Sequence, residues 1–237
     1  MGELVPVQRQ LDGAGSFCAV ILDMDGLMLD TEIVEFRAWR RAAQDFGWSL
    51  EAEDYLQLIG KTDRESTAIL AGWWAARPGE RGDLDAVRER AEQYGGSEPA
   101  VKDGLRELLD WASREGVPLA VGSSSTRNTI VARLASARLA DAVQAIAGGD
   151  EVVNGKPAPD VFLLAAERLG CEPRSCVVVE DSDHGINAAA AAGMTSFLVP
   201  DSSIPRTIPP DIRAKAYRTC ESLRDVLAIL EAATPSR

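Results

Sequence analysis

The chain has 237 residues, with 37 Asp and Glu against 25 Lys and Arg, and a formal net charge of −12. That balance argues against nucleic acid or an anionic membrane as a main partner, but it leaves room for a phosphorylated small molecule wherever a metal reverses the charge locally. The length suits one large domain or a domain with an insert. Residues 1–16, with Gly2, Pro6, Gly13 and Gly15, read as a loose lead-in without the pattern of a secretory leader. No apolar run is long enough to span a bilayer, and Cys18, Cys171, Cys176 and Cys220 show no paired spacing. The expectation is a soluble, cytoplasmic protein with reduced thiols, a monomer or a weak dimer.

Cys18 to Leu22 reads as a strand buried on both faces, ending in Asp23-Met24-Asp25-Gly26. Two carboxylates at such a strand end are costly unless something cationic lies between them; a plain surface strand end is the alternative. Asp30 or Thr31 would cap a helix that runs on Ile33, Phe36, Ala43 and Phe46 and stops at Gly47. Helical patterns then cover 51–58, 63–76 and 83–94, broken at Gly60, Pro78-Gly79 and Gly95-Gly96. No strand pattern interrupts residues 31–97, so an all-helical cap domain is expected there, with Trp73-Trp74 packing between its helices.

Past Ser97 helices and strands alternate. Helices are expected at 104–115, 127–137, 159–169, 185–192 and 222–232, and strands at 117–121, 143–147, 175–179 and 195–199. Residues 201–215, with three prolines, read as loop. The alternation implies an α/β fold: a Rossmann-like, doubly wound parallel sheet formed by residues 1–30 and 98–237, with 31–97 inserted after the first strand. Ligands on such sheets bind at the carboxyl ends of the strands.

Polar groups cluster at those ends: Asp23 and Asp25, Ser123-Ser124-Ser125, the loop holding Lys156, and Glu180-Asp181-Ser182. Singly, each has a plain reading as a cap, a turn or an exposed loop lysine. Together they fit phosphoryl transfer. Asp23 can attack phosphorus and Asp25 can act as acid and base. Lys156 and Mg2+ can supply positive charge, with Asp23, Asp181 and the Asp25 backbone carbonyl as metal ligands and Glu180 as a further or water-mediated one. The Ser123 hydroxyl and the Ser124 amide can donate to the transferring group. Met24, between the two acids, and Arg127 and Asn128, just past the serine run, complete the expected phosphate-binding set.

The stretches Asp23-Met24-Asp25-Gly26-Leu27-Met28-Leu29-Asp30-Thr31-Glu32, Val121-Gly122-Ser123-Ser124-Ser125, Gly155-Lys156-Pro157-Ala158-Pro159-Asp160 and Glu180-Asp181-Ser182-Asp183-His184-Gly185 resemble the haloacid dehalogenase superfamily. Within it the chain is similar to the branch of β-phosphoglucomutase and small phosphatases. The resemblance implies Mg2+ dependence and an aspartyl-phosphate intermediate, with Asp23 as nucleophile, Asp25 as acid/base, Ser123 and Lys156 as phosphate ligands and Asp181 as a metal ligand. An acid at position 25 speaks against a dehalogenase. Where the mutase carries a cap-coupling His this chain has Glu35, and where it has a phosphate-gripping Arg this chain has Asp63, with Lys61 and Arg64 as possible substitutes. The resemblance therefore favours a phosphatase acting on a small phosphorylated metabolite. A mutase, or a non-catalytic binding module of the same fold, is the alternative. It gives His184 no role, and a solvated first-turn position is expected for it.

Overall fold

The computed structural model describes residues 8–58, 63–76, 83–95, 99–204 and 207–235. The chain enters through two short antiparallel strands, β1 (Arg9–Leu11) and β2 (Gly15–Phe17), turned by Gly13 and Gly15, whose φ angles are positive. Part of the expected loose lead-in is thus a hairpin: Gly13 and Gly15 belong to its turn. The central strand β3 (Ala19–Leu22) follows, wholly buried.

Four helices come next, α1 (Thr31–Asp45), α2 (Ala52–Tyr55), α3 (Asp63–Ala76) and α4 (Leu84–Tyr94). Their apolar faces close on each other through Phe36, Tyr55, Leu58 and Leu70, and through Ala42, Trp74, Val87 and Ala91. Trp48 stands edge-on to both Trp73 and Trp74, with ring centroids 6.4 and 5.9 Å away, so the tryptophan pair serves packing. Asp30 sits at the start of α1, but its side chain does not cap the helix. It turns instead to Lys102 and to the Ser203 hydroxyl, 2.6 Å away. The two chain segments that link these helices to the sheet run side by side: the Asp30 amide donates to the Ala100 carbonyl and the Lys102 amide to the Met28 carbonyl, both at 2.9 Å.

The rest alternates: α5 (Leu105–Glu115), β4 (Leu119–Gly122), α6 (Arg127–Ser136), β5 (Ala145–Ala147), α7 (Asp160–Leu169), β6 (Cys176–Glu180), α8 (Asp183–Ala191), β7 (Thr195–Leu198), α9 (Pro210–Arg213), β8 (Arg218–Thr219), α10 (Leu223–Ala232) and β9 (Thr234–Pro235). Three of these, α9, β8 and β9, lie outside the sequence reading. α9 interrupts the expected loop because Pro210 stands in its first turn, where a missing N–H costs nothing. β8 is two residues long, too short to leave a pattern. β9 pairs with β1 and makes the hairpin a three-stranded antiparallel patch.

Six strands form one parallel sheet in the order β5-β4-β3-β6-β7-β8. Successive residues of β3 face opposite sides. Val20 and Leu22 pack with Leu105, Leu108, Ile130 and Val226 from α5, α6 and α10. Ala19 and Ile21 pack with Phe162, Ala165, Ala188 and Ala189 from α7 and α8. Both faces are covered, which is why the strands read as continuous apolar runs. All four cysteines are buried and unbridged. No described helix is long and apolar enough to cross a membrane.

Candidate active site

β3 is the sheet's first strand in chain order and β6 its fourth, and they are neighbours. The connections out of them run to opposite edges of the sheet, which opens a crevice at their carboxyl ends. Asp23 extends the ladder there, its amide donating to the Val179 carbonyl at 3.0 Å. Glu180 closes β6, and Asp181 follows it. All three are buried, and each offers a carboxylate oxygen within 4.8 Å of the others.

Three buried acids at one point demand a cation, and Lys156 supplies one. It comes from the loop before α7; the Lys156–Pro157 bond is cis. Its Nζ lies 2.5 Å from Asp23 Oδ1, 2.9 Å from Glu180 Oε1 and 4.5 Å from the centre of the Phe162 ring. The lysine side chain is 3 % exposed, so the contact is shielded from water. Burial pushes the Asp23 carboxyl up to about 7; Lys156 pulls against that shift, while Glu180 and Asp25 add to it. Burial alone would lower the Lys156 ammonium, but Asp23 and Glu180 hold it above its ordinary value. Burial would raise Glu180, but Lys156 and the Ser182 amide, 2.5 Å from its other oxygen, hold it below its own.

Two glycines allow this crowding. Gly26 has φ +85°, and a Cβ there would meet Asp181 Oδ2 at 2.5 Å. In the first turn of α8, a Cβ at Gly185 would stand 1.7 Å from Glu180 Oε1. The three carboxylates around one ammonium keep a net negative charge, and an oxygen-only donor set suits a hard cation such as Mg2+.

Asp25 points the other way, toward α6. Its Oδ1 accepts from the Thr31 hydroxyl at 2.8 Å and from the Arg133 guanidinium. Its Oδ2 accepts from the Ser125 and Ser123 hydroxyls at 2.8 and 3.2 Å. The Ser123 hydroxyl therefore faces Asp25 in this structure.

Asp23, Asp25, Ser123, Ser124, Lys156, Glu180, Asp181 and Glu35 all line one cavity of about 550 Å3. His184 also lines it, its Nδ1 3.0 Å from Asp183 Oδ1, and is less solvated than expected. Met24 does not reach the cavity: its side chain is buried in the core, and its carbonyl accepts from the Met28 and Leu29 amides. Arg127 turns away to the Ile146 carbonyl and Glu151, and Asn128 is exposed off the cavity wall. The reason is helical geometry. Thr126, Thr129 and Arg133 share the cavity face of α6, and positions 127 and 128 fall about 100° and 200° around from Thr126. Lys61 and the side chain of Arg64 lie outside the described residues.

The description haloacid dehalogenase-like hydrolase matches residues 20–199, which run from β3 through the end of β7. The chain belongs to that family. It is 30 % identical over 214 residues to a phosphorylated carbohydrates phosphatase of Thermotoga maritima, with 90 % of each chain covered. It is 35 % identical over 185 residues to the fructose-1-phosphate phosphatase YqaB of Escherichia coli, covering 75 % of this chain and 94 % of that one. Among solved structures, CbbY from Rhodobacter sphaeroides in complex with phosphate superposes with a TM-score of 0.71 at 26 % identity, over 90 % of this chain and 98 % of that chain.

Several cavity residues escaped the sequence reading. Thr31 and Ser125 stood inside the recognised stretches but were read only as a cap and as part of a turn. Arg133 lay seven residues past Thr126, a spacing that would have placed it on the same helix face. Arg88, Thr67, Tyr55 and Trp39 come from the helical layer, and nothing in their local sequence marks them as facing a cavity.

Proposed function

We infer that the chain is a small-molecule phosphatase of this family, a Mg2+-dependent hydrolase of phosphate monoesters of sugars or related metabolites. The observation that carries this reading is the buried Asp23–Lys156–Glu180 cluster facing the same cavity as a second carboxylate, Asp25. The similarity to phosphatases of phosphorylated carbohydrates supports the substrate class.

In this reading Asp23 attacks phosphorus, the bond to the ester oxygen breaks, and the departing oxygen takes a proton from Asp25. Asp25, now ionised, takes a proton from the water that attacks the aspartyl phosphate, and inorganic phosphate leaves. Acid–base help of this kind is worth roughly 10²–10⁴ in rate. Lys156 offsets the repulsion between Asp23 and the incoming phosphate. The Ser123 hydroxyl exchanges Asp25 for a phosphoryl oxygen, and the Ser124 amide donates to another. Asp23, Asp181 and the Asp25 carbonyl would hold Mg2+, with Glu180 as a further or water-mediated ligand; when bound, the ion neutralises phosphate charge and polarises phosphorus. Residues 31–97 act as a cap over a core of 1–30 and 98–237, shielding the site from bulk water.

Phosphate release from a panel of sugar phosphates, nucleotides and bisphosphates, with Mg2+ and with chelator, tests the reading. The expected result is monoester hydrolysis that chelator abolishes. Hydrolysis indifferent to chelator contradicts the metal assignment, and no hydrolysis of any monoester contradicts the phosphatase.

One observation favours a second reading, phosphoryl transfer of the mutase type. Arg88 faces the cavity from α4, its Nη2 2.9 Å from Thr67 Oγ1 and its buried Nε without a partner. A second phosphate could dock there. Isomerisation of a hexose 1-phosphate on addition of a bisphosphate, without net phosphate release, would decide for it.

A further inference from the structure

We propose that Arg133 is a positioning residue for Asp25, a role that rests on the phosphatase reading above. Arg133 lies two turns into α6, on the face that Thr126 and Thr129 turn to the cavity. One guanidinium nitrogen donates to Asp25 Oδ1, and the other donates to Glu35 Oε1 at 2.5 Å. The second oxygen of Glu35 accepts from the Tyr55 hydroxyl at 3.4 Å. A continuous chain of contacts, Tyr55–Glu35–Arg133–Asp25, thus runs from α2 through α1 and α6 to the turn that carries the acid/base group.

Asp25 has four donors in all, and three of them are hydroxyls. A hydroxyl rotates to follow its partner and accepts as readily as it donates. A guanidinium does neither: its fork is planar and rigid and only donates. Arg133 is therefore the one donor of the four that fixes where the Asp25 carboxyl group points. Glu35 in turn fixes Arg133, which is otherwise a long side chain with many rotamers. An ordinary surface ion pair contributes little. Here the Arg133 side chain is three-quarters buried, at 24 % exposed, and bridges carboxylates from two different elements. Both of its terminal nitrogens are already committed to the protein's own carboxylates, which favours a positioning role over direct capture of a substrate anion.

The test separates acid help from binding. Ester cleavage that expels an alkoxide, as from a sugar phosphate, needs a proton delivered to the leaving oxygen. Cleavage of p-nitrophenyl phosphate, whose leaving group is stable as an anion, needs it far less. The ratio kcat/KM covers events up to release of the alcohol, so it reports the acid step without the later attack of water. In Arg133→Ala, kcat/KM for the sugar phosphate should fall about tenfold to a hundredfold, a part of what acid–base help contributes. For p-nitrophenyl phosphate it should change less than about threefold. Glu35→Gln, which keeps the shape but removes the charge that anchors Arg133, should shift the same ratio in the same direction by less. Equal losses on both esters in the two variants, or no loss on either, overturn the positioning role. If the wild-type protein hydrolyses neither ester, the phosphatase reading itself has failed, an outcome distinct from both.

Discussion

The cavity has two unlike walls. The wall at the sheet edge, made by Asp23, Lys156, Glu180 and Asp181, is buried and charged; the backbone ladder places Asp23 and Glu180, Asp181 follows β6, and Lys156 reaches in from the loop before α7. The wall from the helical layer, made by Glu35, Trp39, Tyr55, Thr67 and Arg88, is half-open and mixed in chemistry. The exposures show the contrast: the Lys156 side chain is 3 % exposed and that of Glu35 47 %. A parallel sheet fixes strand ends relative to one another through many hydrogen bonds, so it can hold like charges together around one ammonium. A helix packed by Phe36, Leu70 and Trp74 presents its exposed face without that constraint. The sheet edge therefore suits bond making and breaking, and the helical wall suits recognition of whatever is attached to the phosphate.

If that division is right, changes on the two walls differ in kind as well as size. The largest effect belongs to Lys156→Met. It leaves Asp23 and Glu180 buried without their ammonium, and removing one partner of a buried ion pair costs on the order of 3–5 kcal/mol. Turnover should vanish and thermal unfolding should begin at clearly lower temperature; a variant as active and stable as the parent would show that the cluster is not the site. Arg88→Ala should act more mildly and differently. KM for a sugar phosphate should rise about fivefold, the loss expected of roughly one hydrogen bond, with kcat nearly unchanged. A fall in kcat alone would place Arg88 with the chemistry and erase the distinction between the walls.

The smallest effect lies off both walls, next to the lining residues Gly149 and Asp150. Arg168 beside Glu151, together with the Gly148 amide and Arg127, holds the Glu151 carboxyl down to about 2. A depressed carboxyl contributes stability that is present above its ordinary value near 4.5 and is lost as pH falls toward 2. Glu151→Gln should melt a degree or two lower at neutral pH, and the gap should close on acidification from pH 4.5 to pH 2. A gap that stays constant over that range would mean the pair contributes through packing and not through charge.

The same contrast explains what could be read from the sequence. β3, β4, β6 and β7 showed as apolar runs because both faces of the sheet are covered. Asp23, Glu180 and Asp181 stood at the ends of such runs, and Lys156 stood in a recognisable loop before a helix. The N-terminal hairpin and β8 did not show: the hairpin strands Arg9–Leu11 and Gly15–Phe17 are short and mixed in polarity, and β8 is only two residues long. Arg127 and Asn128 were chosen for nearness in sequence to the serines, whereas Arg133 reaches Asp25 through the turn of α6. Arg88 and Thr67, 21 residues apart on separate helices, meet on the helical wall of the cavity, and only tertiary packing brings them together. Gly185 stood inside a recognised stretch but was given no role there; its necessity lies in the Glu180 carboxylate that rests against it.

The most direct measurement is mass spectrometry of the acid-quenched protein during turnover of its best monoester, followed by peptide mapping. A phosphoryl group should appear on the peptide containing Asp23, and both the label and the turnover should be absent in Asp23→Asn. Full hydrolysis by Asp23→Asn, or turnover by the parent protein with no phosphorylated peptide at any time point, would contradict the account.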